Sequence, residues 1–299
     1  MTNAARREPI MGASDESRYK APAAGCAADV LIALARSRTP LSTSQLAEHT
    51  GNTRSLVFRV LVELAQRGLV QEQHVRNGNG SAGAAYTLGV GVIELGGAYA
   101  QSVPFMQSVQ RTLRRLADQT SETVSLATLQ ADKALYLMRE EGERSVFSVS
   151  QVGKRLPANA TAVGKALLAQ LSDGQVRELY SRPTSELRAL TPDSLSTIHA
   201  LLADLQQVRL RGYAVEEGET VPGRCCIAVA IPAEGVEVDA AAISISTDLT
   251  RFETVRDEFV SLLLEAKRLH IAEVKSRHQL GDTSRADIAV GQAIGGYYP

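Results

Sequence analysis

Residues 50–68 read TGNTRSLVFRVLVELAQRG, and the organisation of the first third of the chain turns on them. Val57, Val60, Leu61 and Leu64 recur at i, i+3, i+4 and i+7, the spacing of one buried stripe on a helix. Gly51 and Gly68 bound the segment, and Asn52 or Thr53 can cap its start. Arg54, Ser55, Phe58 and Arg59 are left off the stripe, near the helix N-terminus.

The flanks complete a motif. A helix is expected near Ala23 to Arg36, with Ala27, Val30, Leu31 and Leu34 on one face. Ser42-Thr43-Ser44-Gln45 has the form of a capping box and opens a short helix, SQLAEH, which stops at Thr50-Gly51-Asn52. Downstream, LVQEQHV and AAYTLG enclose RNGNGSAG, two extended segments around a Gly/Asn/Ser tip, as in a β-hairpin. Three helices and a hairpin make a helix-turn-helix with a wing, over residues 21–90. The second helix of such a pair enters the DNA major groove, where Arg reads guanine or clamps phosphate, Ser donates to phosphate and Phe touches a thymine methyl. The DNA-binding candidates are therefore Arg54, Ser55, Phe58 and Arg59, with Ser44 in the preceding helix and Arg76 beside the hairpin tip. Gln71 and His74 are possible helpers. The competing reading is that two arginines on an exposed helix face are merely solvated. Their place after a capped helix-turn-helix and before a wing favours DNA.

Length and composition set the frame. A chain of 299 residues, 44% hydrophobic and 22% charged, is long enough for two globular domains. No apolar run approaches the ~18 residues of a membrane span, and no apolar segment follows Arg6 and Arg7, so neither membrane insertion nor secretion is expected. Cys26, Cys225 and Cys226 form no C-x-x-C pair, so no disulfide framework, zinc site or other cofactor is expected, and the cytoplasm is the expected compartment. Residues 1–90 carry 10 Lys and Arg against 7 Asp and Glu, whereas the rest carries 22 against 26. A mildly basic first third is a weak pointer to a polyanion at that end.

Residues 1–20 lack periodicity and read as a disordered arm. Residues 91–120 read as a helical linker: VGVIELGGAYAQSV, weakened by Gly96 and Gly97 and closed by Pro104, then a helix from Phe105 to about Gln119. From Glu122 the period becomes two, and TVSLATLQ, ALYLMRE and RSVFSVSQV read as strands. Helices are expected near 161–171, 173–180 and 193–211, then strands at CCIAVAIPA and VDAAAISIST, then a helix over about 251–275. Val255, Phe259, Leu262, Leu263, Ala266 and Leu269 form the inward face of that last helix. The order gives an α+β domain with a largely antiparallel sheet over 121–275, and residues 276–299 read as a loose tail.

NATAVGKALL, residues 159–168, approaches a phosphate loop but has Asn159 where Gly is needed and Ala166 where Ser or Thr is needed, which rejects nucleotide binding by this motif. A helix beginning near Thr161 presents free amides that suit a carboxylate, and small residues let a ligand approach. Gly164 can equally serve only to let the helix pack closely. The alternation in ISIS turns Ser244 and Ser246 to one face.

PLSTSQLAEHTGNTRSLVFRVLVELAQRGLV with YTLGVGVIELG closely resembles the winged domain of the IclR family of bacterial transcription regulators. LPANATAVGKALLAQL, RGYAVEEGETVPGRCCIAVAI and AAISIS resemble the landmarks of that family's effector domain, so the resemblance spans about residues 21–275. It implies a two-domain α+β chain with a GAF-like ligand-sensing domain after the linker, a homodimer or tetramer, and a palindromic or near-palindromic double-stranded operator. It also implies control of a small catabolic gene set, with repression the commoner mode. The resemblance carries an effector-binding role to Ala162, Val163, Glu216, Arg224, Cys226, Ser244 and Ser246. The implied effector is a small carboxylate: a keto acid, a dicarboxylate or an aromatic acid. Two departures stand out: Cys225 holds a place where the family often has Arg, and Arg224 one where an apolar residue is common. Arg224 can point inward and clamp a carboxylate, or outward as a loop charge. Tyr136, Met138 and Phe147 are further candidates for the pocket wall.

Two other classes compete. An enzyme would use Cys226, but His199 and His270 fall on helices without a surrounding motif, and no G-x-S-x-G or metal-spaced cluster is present. An architectural DNA binder without ligand would leave an α+β domain and paired serines unexplained.

Overall fold

The computed structural model describes residues 21–76, 82–145, 150–233 and 240–293, with residues 76, 82 and 277–293 described by backbone alone. Contacts divide the chain into two units between Tyr99 and Ala100.

In the first unit, α1 (Pro22–Arg36), α2 (Thr43–Thr50) and α3 (Arg54–Gln66) precede a hairpin of β1 (Val70–Arg76) and β2 (Ala82–Leu88). The capping box forms: Ser42 Oγ accepts from the Gln45 amide, while Gln45 Oε1 accepts from the Ser42 amide at 2.9 Å. Gly51 ends α2 at φ 66°, a conformation that favours glycine. Thr53 caps α3 by accepting from the Leu56 amide. The stripe Val57, Val60, Leu61 and Leu64 is buried, and it meets Cys26, Val30 and Leu34 of α1 and Leu46 of α2. Val70 and Tyr86 of the hairpin close this core, and Leu41 adds a two-bond bridge to Tyr86. The tip expected at Asn77–Gly80 lies outside the described residues.

α4 (Gly91–Ser102) carries the division between the units and buries none of its residues. In the second unit, α5 (Pro104–Thr120) leads to β3 (Thr123–Gln130), β4 (Lys133–Glu140) and β5 (Arg155–Pro157). A turn of 3-10 helix at Ala158–Ala160 then precedes α6 (Ala162–Leu168), α7 (Asp173–Ser181) and α8 (Ile198–Arg211). β6 (Ala214–Glu217), β7 (Arg224–Pro232), β8 (Ala240–Asp248) and α9 (Leu249–Ala293) complete it. The sheet runs β5-β4-β3-β8-β7-β6 with every neighbouring pair antiparallel.

Alternation along the central strands divides the domain into layers. Val124, Leu126, Ile227, Val229, Ile243 and Ile245 project to the face covered by α5 and α9. Ala127, Ala228, Ala230 and Ala242 project to the face covered by α6, α7 and α8. One face is thus built from bulky branched residues and the other from small ones. The small face lets α6 approach the sheet and leaves room beside it. Gly164 is part of that approach, since a Cβ there would stand 2.3 Å from the Ala158 carbonyl oxygen.

Several expectations change. The linker expected over 91–120 gives up its second half: α5 buries Phe105, Met106, Val109, Leu113 and Leu116 in the second unit's core. A strand expected over residues 144–152 falls partly outside the described residues, and the third strand in chain order is Arg155–Pro157. β6, too short to show a period, pairs with β7 at the sheet edge. The final helix continues to Ala293, past the start of the expected loose tail. On that helix Leu269 is 45% exposed, and its neighbour His270 is buried instead, donating from Nε2 to Pro232 O over 2.9 Å and meeting Phe105 edge-on.

Candidate functional site

On α3, Arg54, Ser55, Phe58 and Arg59 are all exposed, Phe58 at 54%. Among the described residues neither arginine has an ion-pair partner. Ser44 is exposed in the first turn of α2, as are Gln71 and His74 on β1. Arg76 ends β1, opposite Ala82. Val62, 41% exposed, shares the outward face of α3 and was not singled out by the periodicity. Arginines without internal partners beside a half-exposed aromatic ring, at the start of the second helix of a helix-turn-helix, are what a DNA-reading face requires.

In the second unit, Ala162, Val163, Glu216, Arg224, Cys226, Ser244 and Ser246 line one cavity, together with Tyr136, Ser150, Thr161, Thr220 and Val221. Its unoccupied space, mouth included, is ≈ 460 Å³. The registers explain the convergence. Glu216 faces Cys226 across β6 and β7, Cys226 faces Ser246 across β7 and β8, and Ser244 lies two residues before Ser246 on the same face. Cys226 Sγ lies 2.9 Å from Ser246 Oγ. α6 contributes its first residues because Thr161 caps it, accepting from the Gly164 amide at 3.1 Å.

Arg224 is neither a loop charge nor free of partners. It lines the cavity, and its Nη1 donates to Asp248 Oδ1 at 2.6 Å, its partner in register on β8. Glu216 is 1% exposed and accepts the Thr220 amide at 2.7 Å. Burial pushes its carboxyl up to about 7, with Glu219 adding to the rise and the Thr220 bond opposing it. Burial likewise pushes the Cys226 thiol well above its ordinary range, and Glu216 adds to that. Tyr136 is raised by burial, then by Cys226 and Glu216. Lys165 is withdrawn from the cavity altogether: its Nζ sits 2.5 Å from Glu219 Oε1 and 3.5 Å from Asp204 Oδ2.

The description "Bacterial transcriptional regulator IclR C-terminal" fits residues 97–269, more than half of the chain. The "IclR helix-turn-helix domain" fits residues 27–74. This chain belongs to the IclR family of bacterial transcription regulators. It is 34% identical over 242 residues to the Pca regulon regulatory protein of Pseudomonas putida, covering 80% of this chain and 79% of that protein. It is 32% identical over 238 residues to the transcriptional repressor IclR of Escherichia coli, covering 79% and 83%. Among solved structures, an IclR homologue from Microbacterium hydrocarbonoxydans, complexed with 4-hydroxybenzoate, matches at 26% identity with a TM-score of 0.66, covering 82% of this chain and 95% of that one.

This IclR-family chain is thus a DNA-binding transcription regulator, with an N-terminal helix-turn-helix and a C-terminal α+β domain. Cys226 has no feature of a catalytic nucleophile: burial keeps the thiol protonated, and its near neighbours are Ser246 and an acid. Among the described residues no helix is long and apolar enough to cross a membrane. Nor, among them, does any group of three His, Cys, Asp or Glu stand where it could hold a metal ion. Tyr136, a candidate from composition, does line the cavity; Met138 packs on the opposite face, and Phe147 lies outside the described residues. Thr161, Thr220, Val221 and Ser150 were missed. They sit at a helix cap or in loops, where no period marks which way a side chain turns.

Proposed function

We propose that this regulator is a ligand-responsive repressor of a catabolic gene set. Within its second unit, about residues 121–275 sense a small organic acid; within its first, about residues 21–90 read a palindromic operator as part of a homodimer or tetramer. Arg54, Ser55, Phe58, Arg59, Ser44 and Arg76 contact DNA. Ala162, Val163, Glu216, Arg224, Cys226, Ser244 and Ser246 contact the effector.

The observation that carries this reading is the convergence of those seven residues, from α6, β6, β7 and β8, on one cavity. The cavity offers hydroxyls and Arg224 rather than a broad aromatic surface, which suits a small acid. The relatives add weight: one is named for a regulon, one as a repressor, and one holds a hydroxylated benzoate. Binding the acid shifts the balance between two arrangements of the protein that differ in DNA affinity. An architectural DNA binder has no use for such a cavity.

The test is thermal unfolding and calorimetry with pyruvate, succinate and 4-hydroxybenzoate, on wild type and on Ser246→Leu, which fills the cavity. At least one acid should bind wild type and raise its melting temperature, and Ser246→Leu should lose that response. Equal responses from both proteins would remove the cavity from the account.

A further inference from the structure

We infer that Glu216 takes up a proton as the acid binds, so that this regulator responds jointly to an acid and to pH. The inference rests on the acid-sensing reading above and concerns the regulation of that same cavity.

Two residues of opposite charge face the cavity. Among the described residues lining it, Glu216 and Arg224 are the two that ordinarily carry charge. The Arg224 charge is matched by Asp248, 2.6 Å away on the neighbouring strand. Glu216, on β6, has no ion-pair partner among the described residues, and the groups packed around it explain why. From β7, its cross-strand neighbour is the neutral Cys226 thiol, whose hydrogen bond only partly offsets the effect of burial on Glu216, with Arg224 two residues further and committed to Asp248. From α6, Lys165 gives its ammonium to Glu219 and Asp204. From the loop after β6 come the Thr220 amide and Glu219, which repels a second carboxylate. From β4 comes the Tyr136 hydroxyl, held neutral by burial. Glu217, next in sequence, is exposed on the other face of the edge strand. The carboxyl is 1% exposed, so water does not screen it.

An anionic ligand entering this cavity therefore meets either a second negative charge in a poorly screened site or a protonated carboxyl that can donate to it. Two carboxylates in contact cannot both ionise cheaply, and the shared state holds one proton. In the protonated form, the Glu216 O–H donates to a ligand carboxylate oxygen while its other oxygen keeps the Thr220 amide. No bond other than these hydrogen bonds forms, and the proton comes from solvent. Burial has already moved the free carboxyl to about 7, so the site is poised to load a proton near neutrality. The ligand's own carboxyl, ordinarily near 4, stays ionised over the same range.

The experiment is calorimetry on the full chain with pyruvate, succinate and 4-hydroxybenzoate, in two buffers of different protonation enthalpy, at pH 6, 7, 8 and 9. For an acid that binds, the buffer dependence should report little proton uptake at pH 6 and about 0.9 proton at pH 8, as a carboxyl titrating near 7 requires. Affinity should fall by nearly tenfold per pH unit between 8 and 9. Glu216→Gln, which keeps a donor without a titration, should show no uptake, a flat profile and tighter binding than wild type at pH 9. Binding by wild type without proton uptake, at unchanged affinity from pH 6 to 9, would overturn the inference and leave acid sensing intact. No binding of any of the three acids by folded wild type at any of these pH values would overturn both. The wild-type buffer comparison stands even if the variant fails to fold.

Discussion

Lys165 Nζ lies 2.5 Å from Glu219 Oε1, and both side chains are buried beneath the cavity wall. This pair fixes the start of the loop whose next residues, Thr220 and Val221, line the cavity, while Thr220 Oγ1 donates to Ala160 O at 2.6 Å. The lysine that gives NATAVGK its likeness to a phosphate loop is therefore an internal anchor between α6 and the loop after β6.

Removing one partner of a buried pair leaves the other charge stranded, which costs about 3–5 kcal/mol. Lys165→Met should destabilise the second unit by that order, because Glu219 and Asp204 both lose their cation. Adding Glu219→Gln should restore part of the loss. Denaturant unfolding of wild type, the single and the double variant would check this, and additive losses would contradict it.

The tight turn below α6 makes a second, sharper case. A Cβ on residue 164 would stand 2.3 Å from Ala158 O and 2.4 Å from its Cα, backbone atoms that cannot swing away. Gly164→Ala should cost roughly 1–3 kcal/mol and lower the melting temperature of the second unit by several degrees. It should also weaken acid binding, since Ala162 and Val163 move with the helix. Unchanged stability would mean that α6 shifts freely.

These cases show what was legible in the chain and what was not. The helix-turn-helix was legible because its determinants are local: a capping box at Ser42, glycine after α2, and a four-residue stripe on α3. The serine pair is legible from period two, and Ala162, Val163, Glu216, Arg224 and Cys226 from the resemblance to a family, whereas Ser150, Thr161, Thr220 and Val221 carry no such signal. Gly164 was left open between ligand approach and helix packing, because the atom it avoids, Ala158 O, becomes a neighbour only through the 3-10 turn before α6. Phe105, Val109, Leu113 and Leu116 of α5 spell a buried stripe, but periodicity says only that a face is buried and not against what, so the sequence alone does not separate α5 from a linker. The Arg224–Asp248 pair depends on the register between β7 and β8, which the pattern within each strand does not set.

Burial of Glu216 also predicts the pH dependence of stability. Its carboxyl is raised from 4.5 to about 7, so between those values the folded protein holds a proton that the unfolded chain has released. Stability contributed by this group is full below about 4.5 and declines as pH rises through 7, by about 3 kcal/mol in all. Glu219, raised by its own burial, acts in the same direction. Denaturation at pH 5, 6, 7 and 8 should show the decline, and Glu216→Gln should reduce it. A stability that rises over this range in wild type and variant alike would contradict the assignment.

On the DNA side, Arg59→Ala should weaken operator binding by about 1–3 kcal/mol, roughly 5- to 150-fold, if the side chain reads a guanine. A phosphate contact would instead weaken all sequences about equally and reduce the salt dependence. Since Arg59 is exposed and pairs with no acid among the described residues, the melting temperature should not change.

Coupling between acid and DNA is the central property of the proposed regulator. The most direct measurement is fluorescence anisotropy of labelled DNA from upstream of the chain's own gene, titrated with the full-length protein at near-physiological salt. It would be run with and without a saturating acid that calorimetry shows to bind. The prediction is specific binding, lost in Arg59→Ala, with an affinity that drops at least fivefold when the acid is present. An acid that saturates the cavity yet leaves the DNA affinity unchanged would contradict the claim that this regulator is switched through Glu216 and its neighbours.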